Sequence, residues 1–527
     1  MTTDAVTLQS AIDRLQRGDV DGAERVCLAI LAASPDHFDA RHLLGFLALQ
    51  AGRSARAVEL IAAALPLNPD FAPAWNNLGL ALAACGRLQD AVLAWDRAVA
   101  LAPGFADAHN NRGNALRDLG RPDDALASCD AAIALRPDLA EAHNNRGNAL
   151  FDLDRLDEAI AAFEAAIALR PDYVNAHGNR GGALYGQRRW NEAIAGFDAA
   201  LAIDPTFADA RFHKSFALLG LGRLEEGWRE YEWRWRTREM AADLRGGSAP
   251  AWRGEPLRGR ILYLHAEQGL GDTLQFCRYA PLIGEGGRLV FEAPPSLKRL
   301  LTSLPLPDGA RVIARGDPIP PFDLHCALLS LPSILGTTLA TIPADIPYLA
   351  ADAAGVSRWR ERLAPLAGLK VGLVWSGGQR PDQPGAAAID RRRSVSLAAM
   401  APLAQVPGVS FVSLQKGAPA AQAAAPPSGM TILDPSGELD DFADTAALVE
   451  ALDLVISVDT AVAHLAGALG RPVWLLNRYD TCWRWLLDRD DSPWYPSLRQ
   501  FRQPAPGQWR PVMEAVQGAL RALAGGP

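Results

Sequence analysis

Six prolines, Pro35, Pro69, Pro103, Pro137, Pro171 and Pro205, follow one another at intervals of 34 residues. A fixed period of that length means a stack of similar supersecondary units, because one such unit cannot bury its apolar face alone. Each unit holds two stretches of helical periodicity, such as AHNNRGNALRDLG and PDDALASCDAAIAL, joined by a glycine-containing turn and closed before the proline. Gly45, Gly79, Gly113, Gly147 and Gly181 keep the same step, as do Ala23, Ala57, Ala91, Ala125, Ala159 and Ala193, so small residues fall where paired helices must approach. The first unit has Ala11 and the last Ser215 at the glycine position. Terminal units of a stack depart from the pattern in this way because one of their faces meets solvent. Residues 1–237 are therefore expected to form an α-solenoid.

One position inside the repeat carries chemistry. Asn77, Asn111, Asn145 and Asn179 precede the repeat glycine by two residues on each first helix, with Asn76, Asn110 and Asn144 beside them. A carboxamide offers donor and acceptor together and can hold an extended peptide by its backbone without reading its sequence. The alternative is that these amides bond to neighbouring helices or water. Asn costs helix stability relative to Ala, so registered copies need one reason or the other.

The chain is long enough for roughly three domains of ~150 residues. Its net charge of −8 gives no support to a nucleic-acid surface or an anionic-membrane patch, both of which need clustered Lys and Arg. Six cysteines (Cys27, Cys85, Cys129, Cys277, Cys326 and Cys482) are dispersed without a C-x-x-C pair, which indicates neither a zinc site nor a disulfide framework and suits a reducing compartment. No basic-then-apolar leader opens the sequence, and no run of ~18 apolar residues occurs in it. The expected location is the cytoplasm, with no transmembrane segment.

After the repeats comes GWREYEWRWRTREM, whose Trp228, Tyr231, Trp233 and Trp235 read as a seam onto the next domain, with cation–aromatic ligand binding as the alternative. Residues 238–260 read as a linker, since Gly246–Gly259 is rich in Gly and Pro. Apolar strand-like runs then alternate with helical stretches: a first series over 261–350, a bridging helix and linker over 351–369, and a second series over 370–527. Such alternation predicts parallel sheets with crossover helices, here an α/β double Rossmann-like domain of two lobes and a cleft.

The most site-like stretch is Leu454–Leu476, LVISVDTAVAHLAGALGRPVWLL, which reads strand, helix, strand. A helix that starts just past a strand's carboxyl end points free N–H groups at the crevice where open α/β sheets bind ligands, a setting suited to phosphate. His464 falls one turn into that helix; Asp459 as N-cap and His464 as a packed helix-face residue is the structural alternative. In the first series, EQGLGDTLQ is a glycine turn but not a dinucleotide fingerprint. Its Asp272 either faces the cleft or caps the next helix, with Gln275 three residues on.

These motifs carry resemblances. The repeats resemble the tetratricopeptide repeat, and the asparagine row resembles the ladder with which O-GlcNAc transferases grip acceptor protein. GLGD at Gly269–Asp272, with SVDTAVAHLAGALGRPVWLL at Ser457–Leu476, resembles the ADP-heptose:lipopolysaccharide heptosyltransferases, which have the two-lobed GT-B fold. The resemblance implies Asp272 as base on the acceptor hydroxyl and Asp459, Thr460 and His464 at the donor diphosphate. Lys416 resembles the lysine that faces donor phosphate in several GT-B enzymes. Ser376-Gly377-Gly378 and Arg391-Arg392-Arg393 are further candidates to line the cleft, and CWRWLLDRDDSPWY (Cys482–Tyr495) either contacts the donor or packs its lobe.

Repeats followed by this half resemble bacterial repeat-containing protein O-glycosyltransferases, including those that modify flagellin. The implied activity is metal-independent transfer from a nucleotide sugar to a protein acceptor recruited by Asn77, Asn111, Asn145 and Asn179. The nucleotide sugar is then a co-substrate, and no cofactor is expected. A scaffold with an inactive transferase-like half and a heptosyltransferase acting on lipopolysaccharide remain as alternatives.

Overall fold

The computed structural model describes residues 7–241, 245–284, 286–378 and 384–525, without the side chains of 384–386 and 388. The chain divides into two compact units, 1–205 and 206–527.

The first unit is the repeat array, built of helix pairs such as Ala106–Asp118 with Pro122–Leu135 and Ala140–Asp152 with Leu156–Leu169. The repeat glycine permits the pairing. A Cβ on Gly79 would lie 2.5 Å from the Trp95 ring, one on Gly147 2.5 Å from Phe163 and one on Gly181 2.8 Å from Phe197. Those rings are buried between the paired helices. Every first helix ends in a turn that needs positive φ, supplied by Gly18, Gly52, Gly86, Gly120 and Gly222 but by Asp154 (φ 60°) and Arg188 (φ 64°) in the two units before the last. The side chain at the fourth residue of the first helix also recurs: His109, His143 and His177 bond through Nε2 to the carbonyls of Pro103, Pro137 and Pro171 at 2.9–3.1 Å, and Trp75 bonds to that of Pro69.

The second unit starts with a helix pair of repeat type, Ala208–Gly220 and Leu224–Tyr231, so the last repeat groups with the α/β half rather than with the array. Trp228 and Tyr231 are buried there, edge-on to each other, and Trp228 meets Phe276 at 5.7 Å and Trp483 at 5.3 Å. The predicted seam is thus real for these two and for Trp235, whose ring meets that of His265 edge-on at 6.4 Å. Trp233 instead stacks with Arg211 and Arg236 of its own chain.

The glycine- and proline-rich stretch read as a linker is packed. Ala251 bridges His325, the Trp252 amide donates to the His325 carbonyl at 2.8 Å, and the Trp252 ring is buried. A large indole five residues past Gly246-Gly247 outweighed the local turn signal.

Two parallel sheets follow. The first orders β3-β2-β1-β4, from β1 (Ile261–His265), β2 (Arg288–Ala293), β3 (Arg311–Ala314) and β4 (Leu324–Ala327). The second orders β10-β9-β8-β5-β6-β7, from β5 (Leu369–Val374), β6 (Val409–Ser413), β7 (Ile432–Leu433), β8 (Leu454–Val458), β9 (Val473–Asn477) and β10 (Leu498–Arg502). In the second sheet the chain runs outward from β5 through β7 and then outward the other way from β8 through β10. The crevice where ligands bind in such sheets lies at that reversal, between β5 and β8. The corresponding reversal in the first sheet is between β1 and β4.

The two sheets share buried core. One continuous buried cluster joins Leu262, Leu289 and Phe291 of the first sheet to Val374, Val412, Val455 and Leu475 of the second. Among the described residues no helix is long and apolar enough to cross a membrane.

Candidate active site

The reversal between β5 and β8 brings predicted residues together. Ser376 and Gly377 follow β5, and Asp459 and Thr460 follow β8, as parallel neighbours. Gln415, just past β6, locks the first of these turns: its Oε1 accepts from the amides of Trp375 (3.1 Å) and Ser376 (2.8 Å), and its Nε2 donates to the Ser376 carbonyl (3.1 Å). Ser376 Oγ bonds to Ser394 Oγ at 3.2 Å, and Ser394 Oγ accepts from the Gly377 amide at 3.0 Å.

Arg393 joins the two turns. It donates to the Asp459 carbonyl at 2.8 Å, pairs with Asp390, and lies so close to Gly377 that a Cβ there would meet its Nε at 2.4 Å. Arg391, Arg392 and Arg393, the three arginines offered as cleft-lining candidates, end a helix, Pro384–Arg393.

The helix after β8 runs from Ala461 to Ala468 and its N-cap is Thr460, not Asp459. Thr460 leaves the helix start uncapped by any side chain, because its hydroxyl lies 3.0 Å from Ser457 Oγ. His464 is buried at 4% exposure, 3.0 Å from the Tyr495 hydroxyl through Nδ1 and stacked on Trp485 at 4.9 Å. Burial, helped by the guanidinium groups of Arg484, Arg278 and Arg393 against the opposing Asp459, pushes its pKa from 6.5 down to about 3. In the ligand-free chain His464 is therefore a neutral imidazole, packed between Trp485 and Tyr495.

Asp272 lies on the helix Leu270–Phe276 beyond β1, but as its third residue rather than its cap. Gly269 is the N-cap, and Asp272 Oδ2 accepts from the Gly269 amide at 3.0 Å. Gly269 caps with an ordinary extended backbone (φ −89°, ψ 170°), and the carboxylate reaches back as in half a capping box. Asp272 Oδ1 is held by Arg484, with both side chains largely buried, at 16% and 12% exposure. The two helix starts touch: a Cβ on Gly271 would lie 2.9 Å from His464 Cδ2 and 3.7 Å from Ala461 Cα.

Lys416 follows Gln415, yet its ammonium donates to the carbonyls of Ser436 (2.6 Å) and Leu439 (2.8 Å), tying the end of β6 to a neighbouring loop. Two arginines that sequence reading left unassigned complete the site. Arg484, inside CWRWLL, spans to Asp272 while lying over the Trp483 ring at 4.1 Å. Arg278, 4% exposed, donates to the carbonyls of Gln275 (2.8 Å), Pro343 (3.1 Å) and Trp494 (2.6 Å) and to the Tyr348 hydroxyl (2.8 Å). Glu267 was also missed. It bonds to Arg234 (3.2 Å) and the Leu329 amide (3.0 Å), and burial pushes its pKa up to about 7.

Two surface cavities lie elsewhere, one of about 410 Å³ beside Pro402, Trp509 and Met513 and one of about 700 Å³ beside Arg245, Tyr263 and Phe322. Among the described residues no group of His, Cys, Asp or Glu has the arrangement of a metal site.

In the array, the asparagine row is bonded along its length. Nδ2 of Asn111, Asn145 and Asn179 donates to Oδ1 of Asn76 (3.1 Å), Asn110 (2.9 Å) and Asn144 (3.0 Å) of the preceding unit, while Asn77 Nδ2 lies 3.1 Å from His42 Nε2. The buried Asn76, Asn110 and Asn144 thus receive the half-exposed row.

The sequence matches tetratricopeptide-repeat models over residues 14–83, 76–140, 110–174 and 144–207. It matches the model of glycosyltransferase family 9 (heptosyltransferase) over residues 417–497, a span that holds Asp459, Thr460, His464 and Arg484 but not Asp272, Ser376 or Lys416. Protein FlbA of Caulobacter vibrioides is 32% identical over 329 residues, covering 58% of this chain; the chain spans about half, 53%, of that relative's length. Among solved structures, the MamA protein is 27% identical over 31% of this chain and 90% of its own, with a TM-score of 0.29. A thermophilic TPR protein of Thermus thermophilus is 24% identical over 34% of this chain and 96% of its own, with a TM-score of 0.29. At such scores nothing further follows from either structure. The chain thus combines tetratricopeptide repeats with a glycosyltransferase-family region.

Proposed function

We propose that the chain is a protein O-glycosyltransferase that moves a sugar from a nucleotide-sugar donor to a hydroxyl of an acceptor protein recruited by the repeats. The observation that supports it best is the contact between the Asp272 helix and the uncapped helix start at Thr460, each at the carboxyl end of its sheet. The two sheets correspond in this reading to the two halves of a GT-B-type transferase. Asp272 takes the acceptor proton as the anomeric carbon becomes cationic, and the N–H groups at Ala461–Val462 stabilise the departing phosphate. Ser376, Asp459 and Arg393 shape the donor side; Lys416 braces it. The acceptor peptide lies along Asn77, Asn111, Asn145 and Asn179, which remain half-exposed beside their inter-repeat bonds. Flagellin is the acceptor class to try first.

Intact-mass measurement of candidate acceptors, mixed with the full chain and each common nucleotide sugar in turn, tests this. A sugar-sized increment that needs the chain supports it. Retained transfer with chelator present supports the metal-independent form.

A second reading, an interaction scaffold with an inactive transferase-like half, is favoured by one observation: both oxygens of Asp272 already have partners. Stable acceptor binding without transfer from any donor would select it.

A further inference from the structure

Three guanidinium groups, those of Arg278, Arg393 and Arg484, act on the His464 imidazole at the start of its helix. Arg278 is tied to backbone carbonyls and a phenol. Arg393 is tied to Asp390 and the Asp459 carbonyl on its own sheet. Lys416 is occupied by two carbonyls, and His464 is neutral. Arg484 differs from all of these. Its carboxylate partner comes from the other sheet, and its remaining contacts are weak ones, Cys482 Sγ at 3.1 Å and the Trp483 ring. Its partner Asp272 follows Gly271, which packs on Ala461 and His464, and its neighbour Trp485 stacks on His464, so the pair lies beside the helix start that would receive a phosphate.

A diphosphate is a richer acceptor for the planar guanidinium fork than a single carboxylate oxygen is. We propose that Arg484 is a donor-phosphate residue that exchanges partners: it holds Asp272 while the donor site is empty and turns to the diphosphate when the nucleotide sugar binds. The exchange opens Asp272 Oδ1 to the acceptor hydroxyl. Asp272 is thereby masked until donor is present, which orders the two substrates. This inference rests on the reading of Thr460–His464 as the phosphate side of a donor site.

The probe is inorganic pyrophosphate, titrated calorimetrically into the full chain, with a melting curve for every variant. Asp272→Asn releases Arg484 and should bind pyrophosphate about tenfold more tightly than the wild type, while Arg484→Gln should bind it about tenfold less tightly, the effect of one charge-assisted hydrogen bond. In the double variant the benefit of Asp272→Asn should vanish. If the benefit persists without Arg484, Asp272 merely repels the anion and the exchange is wrong; unchanged affinity in folded Asp272→Asn overturns it equally. Should Asp272→Asn fail to fold, Arg484→Gln decides alone, with wild-type affinity overturning the proposal. Absence of pyrophosphate binding by both wild type and Asp272→Asn removes the donor-site reading itself, and the exchange with it.

Discussion

Arg484 holds the carboxylate of Asp272, so a turn after β9 of the six-stranded sheet is clasped to the first helix of the four-stranded one. The pair is mostly shielded from water. Removing one member of a buried pair leaves the other charge unpaired and typically costs about 3–5 kcal/mol.

Asp272→Asn should lower turnover by roughly 10² to 10⁴, the range for loss of a positioned general base. Its single carbonyl oxygen can still accept from the Gly269 amide, so the helix start survives. A stability loss from the broken ion pair should accompany it and must be separated by melting curves. Near-normal sugar transfer by the folded variant would sink the base assignment.

His464 and His265 both have imidazole pKa values pushed from 6.5 to about 3, by burial first. The unfolded chain binds these protons below pH 6.5 and the folded chain does not until about pH 3. Their contribution to stability is therefore complete above pH 6.5 and is lost as the pH falls toward 3. Glu267, raised from 4.5 to about 7, acts with opposite sign between those values, since the folded state there holds the extra proton. His464→Gln, which can still bond Tyr495, isolates one histidine. The slope of unfolding free energy against pH between 4 and 6 should fall by about 1 kcal/mol per pH unit relative to wild type. Parallel slopes would mean that His464 is protonated in the folded chain.

The asparagine row makes two predictions that must be read together. Asn111, Asn145 and Asn179 changed to Ala should weaken acceptor-protein binding and leave pyrophosphate binding alone. Each substitution also removes a bond to the preceding unit, so the array should lose about 1 kcal/mol per site in denaturant unfolding. Asn144→Ala deletes the buried acceptor that receives Asn179, together with a long 3.5 Å donation to Asn145, and leaves the exposed row itself in place. A loss of acceptor affinity equal in both sets would show that array rigidity, not the exposed amides, carries recognition.

Arg188 holds a left-handed backbone at φ 64° where four earlier units have glycine. Arg188→Gly should relieve on the order of 1 kcal/mol of strain, read as a rise in the melting temperature. No rise would mean that the arginine side chain's contacts outweigh the strain.

Helix pairs, strand alternation and the strand-to-helix unit at Leu454–Leu476 were legible because they rest on periodicity, and periodicity is a property of adjacent residues. The sheet termini that meet at Ser376 and Asp459 follow from strand order. What stayed hidden depends on long-range geometry. Nothing local in CWRWLL says that Arg484 crosses to a residue 212 positions earlier. Arg278 looks like an ordinary charge among apolar neighbours until Trp494, Pro343 and Tyr348 close around it. The N-cap at Gly269 was misplaced because aspartate is the commoner cap and its backward reach from the third helical position looks the same in one dimension. The asparagine row showed the opposite failure. Its registry was plain, but donor and acceptor are 35 residues apart in each bond, so the sequence could not say that the amides first serve one another.

The helix pair Ala208–Gly220 and Leu224–Tyr231 has repeat character but supplies Trp228 and Tyr231 to the core of the α/β half, and Tyr231 accepts a hydrogen bond from Gln268 at 2.6 Å in the turn before Asp272. Any exchange of recruiting arms between chains of this kind therefore has its natural splice upstream of residue 206. A graft made at the visible end of the repeats, near residue 237, would carry away two aromatic side chains that wall the core of the α/β half, whereas an earlier cut leaves that core intact and replaces only the repeats.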